Sequence, residues 1–374
     1  MVRNEKIAFL CDYQSYYGGN FIPSLMALEK EALKSGYQCV YLLPRGAKDR
    51  YWAQYLAQTN HTVIFWESDV GRTAFIRRLD QIVKQNQIGI LHVHFGNVLN
   101  AEIYSMLNPN VQVMIHLHSD FSAGEKTVKD KFIDFVVYRL MSKRIRYLSV
   151  SKDFLKYNKE KTTWVPNALA TERIPCEHKT GLELRKELNI GENDVLCELF
   201  GWSPNIKGVD IAVQAVKLVN EQMKRKVSLA IICGREYTPD KMKQYILEKI
   251  GIQPDAPYLL YLQPIEDVFC YHEAADLVIS ASRSEGFPYS ILEMLSIGKP
   301  CVVSDIPGTN WAEEYPITFP FESENVVGCA EAIAEAIMKT AECPSEDVKK
   351  SIGEQYSIER WAQTVMNCYQ AGNR

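Results

Sequence analysis

Two glutamates eight positions apart, Glu285 and Glu293, stand in the stretch 280–305, SASRSEGFPYSILEMLSIGKPCVVSD. An apolar strand pattern ends at Ser282, a loop carries Glu285, Gly286 and Phe287, and Pro288 falls where a helical pattern begins. Proline suits the first position of a helix, and a helix N-terminus offers unbonded amides and the positive end of a dipole, which together hold an anion. Gly286 lets the backbone approach a ligand closely. Glu293 lies among Ile291, Leu292, Met294 and Leu295. It is expected at the polar edge of the helix or against a partner, because an unpaired buried charge is costly. On these residues alone, a turn-capping Glu285 and a solvated Glu293 are an equally open reading.

A second group lies in LFGWSPNIKGVDIAVQAVKLV (199–219), where Lys207 and Gly208 open a helix whose apolar positions recur at helical spacing. A lysine at a helix N-terminus is unfavourable by roughly 0.3–1 kcal/mol, which an external anion would offset; a solvated lysine is the alternative. A third is Gly18-Gly19-Asn20 after the first apolar run, where paired glycines permit close backbone approach or only a turn. Finally, His92-x-His94 and His116-x-His118 each put two imidazoles on one face of a strand. No thiolate or carboxylate accompanies them at ligand spacing. They are read as hydrogen-bonded core residues with no metal site, His118 excepted, since it ends its run and precedes a polar loop.

These residues need a scaffold that brings loops together. The runs 6–11, 38–43, 61–66, 89–95, 112–118 and 146–151 are continuously apolar and rich in β-branched or aromatic residues, as strands of a parallel sheet covered on both faces should be. Helical patterns separate them, such as 23–36 with Gly36 as its C-terminal stop. The pattern restarts with runs at 195–201, 227–234, 258–262, 276–282 and 299–305. Two β-α repeats imply an α/β protein of two Rossmann-like domains, with chemistry in the loops beyond the carboxyl ends of strands. The boundary is placed at 166/167, inside a Pro-containing polar connection, so that the domains are 1–166 and 167–355.

A length of 374 residues suits two domains, and a net charge of −4 argues against nucleic acid as a partner. The ten cysteines are scattered without a C-x-x-C pair, as expected in a reducing cytoplasm. The start of the chain does not read as a signal peptide. No apolar run reaches the ~18–20 residues of a membrane span.

The wording Glu-Gly-Phe-Pro…Leu-Glu, followed by GKPCVVSDIPG, resembles the Glu-x7-Glu signature of the retaining family-4 glycosyltransferases of the GT-B fold, the glycosyl transferases group 1. The resemblance covers nearly the whole chain, with its specific motifs at 199–308. It implies two Rossmann-like domains facing across a cleft, with the last helix, within 356–374, crossing back to the first domain. It implies transfer of a sugar from a nucleoside diphosphate donor, UDP- or GDP-linked, to a glycan, lipid-linked or protein acceptor, with the anomeric configuration retained. By the same resemblance, Glu285 contacts sugar hydroxyls, Glu293 the nucleotide ribose, and His118 the sugar. Gly19 and Asn20 fold over the diphosphate. Lys207, with the backbone of Gly286, Phe287, Pro288, Tyr289 and Ser290, meets the leaving-group charge without a metal, and no Asp-x-Asp motif is present. Two departures stand out: Trp202 occupies the place of an arginine that pairs with the lysine in the family, and Ala168 replaces a glycine after Asn167.

Residues 126–161 hold eleven Lys/Arg against four Asp/Glu, interleaved with aromatic and aliphatic residues. They read either as a solvated basic face or as a surface meeting anionic lipid, giving a cytoplasmic protein with peripheral contact at the inner face of the membrane. Two other classes stay open: a catalytically weak binding relative, and a dinucleotide-dependent oxidoreductase, which the absence of G-x-G-x-x-G disfavours.

Overall fold

A computed structural model describes residues 6–67, 71–95, 110–118, 145–152, 162–170, 172–175, 179–339 and 344–371. It divides into two units, Met1–Ile174 with Tyr356–Arg374, and Pro175–Gln355. Residues 167–174 stay with the first unit, where Leu169 N–H donates to Tyr356 O at 2.7 Å and Ala170 N–H to Asn20 Oδ1 at 2.7 Å.

In the first unit, strands β1 (Lys6–Cys11), β2 (Gln38–Pro44), β3 (Val63–Trp66), β4 (Ile88–His94), β5 (Gln112–Leu117), β6 (Ile145–Ser149) and β7 (Thr162–Trp164) form one sheet in the order β3-β2-β1-β4-β5-β6-β7. Every pairing is parallel. Helices α1 (Phe21–Lys34), α2 (Tyr51–Gln58) and α3 (Arg72–Gln85) fill the crossovers. Alternation along each strand splits the core in two. Ile7, Phe9 and Tyr41 pack with α1, Trp52 and the C-terminal helix (Ile358–Ala371), while Ala8, Leu10, Val40 and Leu42 pack with Ile76, Leu79 and Val83 of α3. Gly36, at φ +81°, ends α1: its N–H donates to Leu33 O and that of Tyr37 to Ala32 O, both at 3.0 Å.

The second unit repeats the plan with β8 (Val195–Phe200), β9 (Val227–Ile232), β10 (Leu259–Leu262), β11 (Leu277–Ser280), β12 (Cys301–Asp305) and β13 (Thr318–Glu322), in the order β10-β9-β8-β11-β12-β13. Its helices are α4 (Gly181–Glu187), α5 (Val209–Gln222), α6 (Pro239–Ile250), α7 (Phe269–Ala274), α8 (Tyr289–Ser296), α9 (Val326–Lys339) and α10 (Ser345–Gln355). Both sheets reverse strand order in the middle, at β1/β4 and at β8/β11. Loops diverging there leave a crevice beyond the strand ends, the usual ligand position in doubly wound sheets. Two strands escape the apolar pattern. β7 has only three residues, and β13 contains Pro320, which an edge strand tolerates because its N–H is not needed there. Among the described residues no helix is long and apolar enough to cross a membrane.

Candidate active site

The loops that leave β8 and β11 meet at the switch point of the second unit. Gly208 makes the meeting possible. It caps α5 in the left-handed conformation at φ +61°, and a Cβ there would lie 1.8 Å from the carbonyl oxygen of Ala281. Arg283 ties the two loops: its N–H donates to Ile206 O at 2.8 Å, and its guanidinium binds Asp210 of α5 at 2.9 and 2.8 Å and Glu324 at 2.6 Å. The close approach sets Lys207 Nζ 2.5 Å from Glu285 Oε1, which also accepts from Ser282 Oγ at 2.7 Å. Both side chains of the pair are largely buried, at 12% and 11% exposure. The Trp202 ring lies 5.0 Å from Lys207 Nζ in cation–π contact and is half exposed.

The rest of the Glu285 loop is pinned from below. Ser304 Oγ donates to Ser282 O at 2.6 Å, and Phe287 stacks on Trp311 with ring centroids 4.1 Å apart. Gly286, Phe287 and Pro288 are buried, and Tyr289 and Ser290 are half-buried at the start of α8. The N-cap of α8, Pro288, has no side-chain cap, and neither has that of α5. Two helix N-termini thus open at the strand ends beside one lysine, an arrangement that can hold a polyanion.

Glu293 belongs to a different constellation. It is 4% exposed, and its Oε2 lies 2.6 Å from His272 Nε2, while His272 Nδ1 lies 2.6 Å from Glu198 Oε1. Burial by itself pushes an imidazole down, but Glu198 and Glu293 outweigh it and raise His272 to about 10. The ring is therefore a buried imidazolium at neutral pH, shared by β8, α7 and α8. Of the two placements open to Glu293, polar edge or partnered, the structure has the second. Neither Glu198 nor His272 was singled out by spacing. The available signal was a single carboxylate inside the otherwise apolar run VLCELF, which must find a cation.

The remaining sequence candidates lie in the first unit. Gly19 is left-handed at φ +55°. Asn20 is 1% exposed, with Oδ1 committed to the Ala170 amide and its carbonyl to Ser24, so its side chain joins chain segments in the fold. His118 is half-buried beyond the end of β5, with Nε2 2.9 Å from His94 Nδ1 and its ring stacked on Phe95 at 4.1 Å. Burial is the first cause that holds its pKa well below the usual histidine value, with His116 and His92 adding and an Asn167 hydrogen bond opposing. Of the basic stretch 126–161, residues 126–144 and 153–161 lie outside the described residues; Arg146 Nη2 donates to Ala371 O at 2.8 Å.

Residues 197–341, all within the second unit, match the family model of the glycosyl transferases group 1. A curated relative, the UDP-Gal:alpha-D-GlcNAc-diphosphoundecaprenol alpha-1,3-galactosyltransferase of Escherichia coli, is 24% identical over 242 residues, which span 62% of this chain and 62% of that protein. Among solved structures, a glycosyltransferase from Rickettsia africae ESF-5 superposes with a TM-score of 0.76 at 13% identity, covering 99% of each chain. Anabaena HepE in complex with UDP-glucose does so with a TM-score of 0.75 at 18% identity, covering 98% of this chain and 99% of that one. The fold, two parallel α/β sheets with helices, is GT-B.

Proposed function

We propose that this protein is a retaining glycosyltransferase that moves a sugar from a nucleoside diphosphate donor to an acceptor hydroxyl in glycan or glycoconjugate biosynthesis. The observation that carries the reading is the Lys207–Glu285 pair, held at the β8/β11 switch point between two uncapped helix N-termini in the segment that matches the group 1 model. A diphosphate draws Lys207 away from Glu285 by offering it more negative charge, and frees the carboxylate to accept from sugar hydroxyls. Lys207 and the N–H groups of Gly286, Phe287, Tyr289 and Ser290 then stabilise the leaving diphosphate as it forms, a preorganised electrostatic contribution that needs no metal at the phosphates. Trp202 stands where the family places an arginine, supplying a flat π face in place of a second cation. Glu293, fixed by His272, faces the ribose in this reading. Within the first unit, Asn20 shapes the loop after Gly19 through its links to Ala170 and Ser24.

The Escherichia coli relative takes its name from a UDP-galactose donor and a diphosphoundecaprenol-linked acceptor, so UDP-sugars and a lipid-linked glycan are the first substrates to try. An acceptor of that kind would place the chain in the cytoplasm at the inner face of a membrane. A panel of UDP- and GDP-sugars is screened by thermal shift, since a donor at 100 times its Kd adds ~2.7 kcal/mol. The product anomer is then read by NMR. Binding of one donor class, a retained anomer, and turnover indifferent to added Mg2+ or Mn2+ are expected. An inverted product overturns retention, and absence of any nucleotide-sugar binding overturns the reading. The Trp202 replacement favours a second reading, a relative that binds donor but barely transfers it. Donor binding without transfer or hydrolysis above background would establish that.

A further inference from the structure

The buried face of β4 and β5 carries an unusual set of side chains. His92 and His94 alternate on β4, and His116 is the direct cross-strand partner of His94 on β5. All three are fully buried, and one ring nitrogen from each lies within 4.8 Å of one from each of the others. His92 Nδ1 is engaged by Tyr369 Oη at 2.6 Å, and His94 Nδ1 by His118 Nε2 at 2.9 Å. The opposite nitrogens, His92 Nε2 and His94 Nε2, have no hydrogen-bond partner, and neither ring nitrogen of His116 has one of normal geometry. Leaving a buried polar atom unpaired is destabilising, so this set weakens the core unless something occupies it.

We propose that His92, His94 and His116 form a three-imidazole site for a transition-metal ion, with zinc the metal that best suits their chemistry. Imidazole is a favoured ligand of zinc, and three imidazoles with an exogenous fourth ligand make a recognised tetrahedral set. Zn–N bonds of about 2.0–2.1 Å place ligand nitrogens about 3.3 Å apart, so an ion would draw together nitrogens that already lie within 4.8 Å of one another. Burial pushes all three pKa values down, His116 to about 4, so the rings are neutral and need lose no proton to bind. Two of the three already have the outer support that metal-bound histidines use, a partner on the far nitrogen. An ion on His94 Nε2 leaves the His94 proton on Nδ1, donated to His118 Nε2, and so fixes the tautomer of His118. The ion would be a core tie between β4, β5 and, through Tyr369, the C-terminal helix.

Because the site is closed, the test loads it during folding. The full chain is unfolded, refolded with equimolar Co2+ as a spectroscopic probe of the zinc position, and gel-filtered. The expected result is one ion retained per chain, with d–d bands of four-coordinate cobalt and no sulfur-to-cobalt charge transfer. His116→Gln should lose the ion and His61→Gln should keep it. Tyr369→Phe, which removes only the outer partner of His92, should weaken retention about 10–100-fold and remains informative if His116→Gln misfolds. No retained ion in the wild type, equal retention in His116→Gln, or a charge-transfer band marking a cysteine site each overturns the proposal.

Discussion

In the second unit His272 is clamped between Glu198 and Glu293, whereas in the first unit His92, His94 and His116 lie against one another and against Tyr369 and Trp361. All four rings are fully buried, yet burial alone does not decide their charge. Two carboxylates make His272 a cation, whereas burial, with no carboxylate partner among the described residues to oppose it, keeps the other three neutral. The pH dependences are therefore opposed. Where the folded pKa lies above the unfolded value of about 6.5, stability is complete below 6.5 and is lost as pH rises towards about 10, as for His272. Where it lies below, stability is complete above 6.5 and is lost as pH falls towards about 4, as for His116. The second unit should be weakened from the alkaline side and the first from the acid side.

The largest way to break this contrast is His272→Gln. It leaves two buried carboxylates without their cation, and a cost of about 3–5 kcal/mol is expected in chemical denaturation at pH 7. The difference between wild type and variant should shrink from pH 7 to 10. A constant difference would mean that His272 is not the group titrating there.

Lys207→Ala tests whether the charge of the second unit serves a ligand as well as the fold. Turnover should fall about 10²–10³-fold, or ~2.7–4 kcal/mol of transition-state stabilisation. Stability should change little, since Glu285 regains solvent on loss of the lysine. Near-normal kcat/KM in the variant would refute the diphosphate assignment.

Tyr369→Phe acts on the neutral cluster. It removes the hydrogen bond to His92 Nδ1 and should lower the stability of the metal-free first unit by about 1–3 kcal/mol, without steepening its alkaline limb. Calorimetry at pH 7 and 9 resolves the two. The smallest effect is expected of Trp202→Leu. Losing a half-exposed cation–π contact of about 0.5–1 kcal/mol should shift nucleoside diphosphate affinity by roughly two- to five-fold. A far larger loss would show that Trp202 touches the donor directly.

Much of the scaffold was legible because parallel strands buried on both faces are continuous apolar runs, and Gly36 and Gly208 stand where left-handed backbone is required. The short β7 and the proline-containing β13 were not, since each weakens the local pattern that marks a strand. The site was legible in part. Lys207 and Glu285 were both identified, but their contact depends on the strand order at β8/β11. The partners of Glu293 were not identified, because His272 and Glu198 are 74 residues apart and neither carries a motif. The strand histidines were read as hydrogen-bonded core residues. They are core, but the Nε2 atoms of His92 and His94 lack hydrogen-bond partners, a property no local pattern records.

Taken alone, the sequence determined most of the strands and helices, their order, and that loops bearing Lys207 and Glu285 follow strands. Periodicity and backbone preference act over a few residues and suffice for that. Only the tertiary structure decided the pairings: Lys207 with Glu285 across 78 residues, and His92 with Tyr369 across 277. Those contacts depend on which strands become neighbours and which face each residue takes, and both are set by burial of the whole sheet.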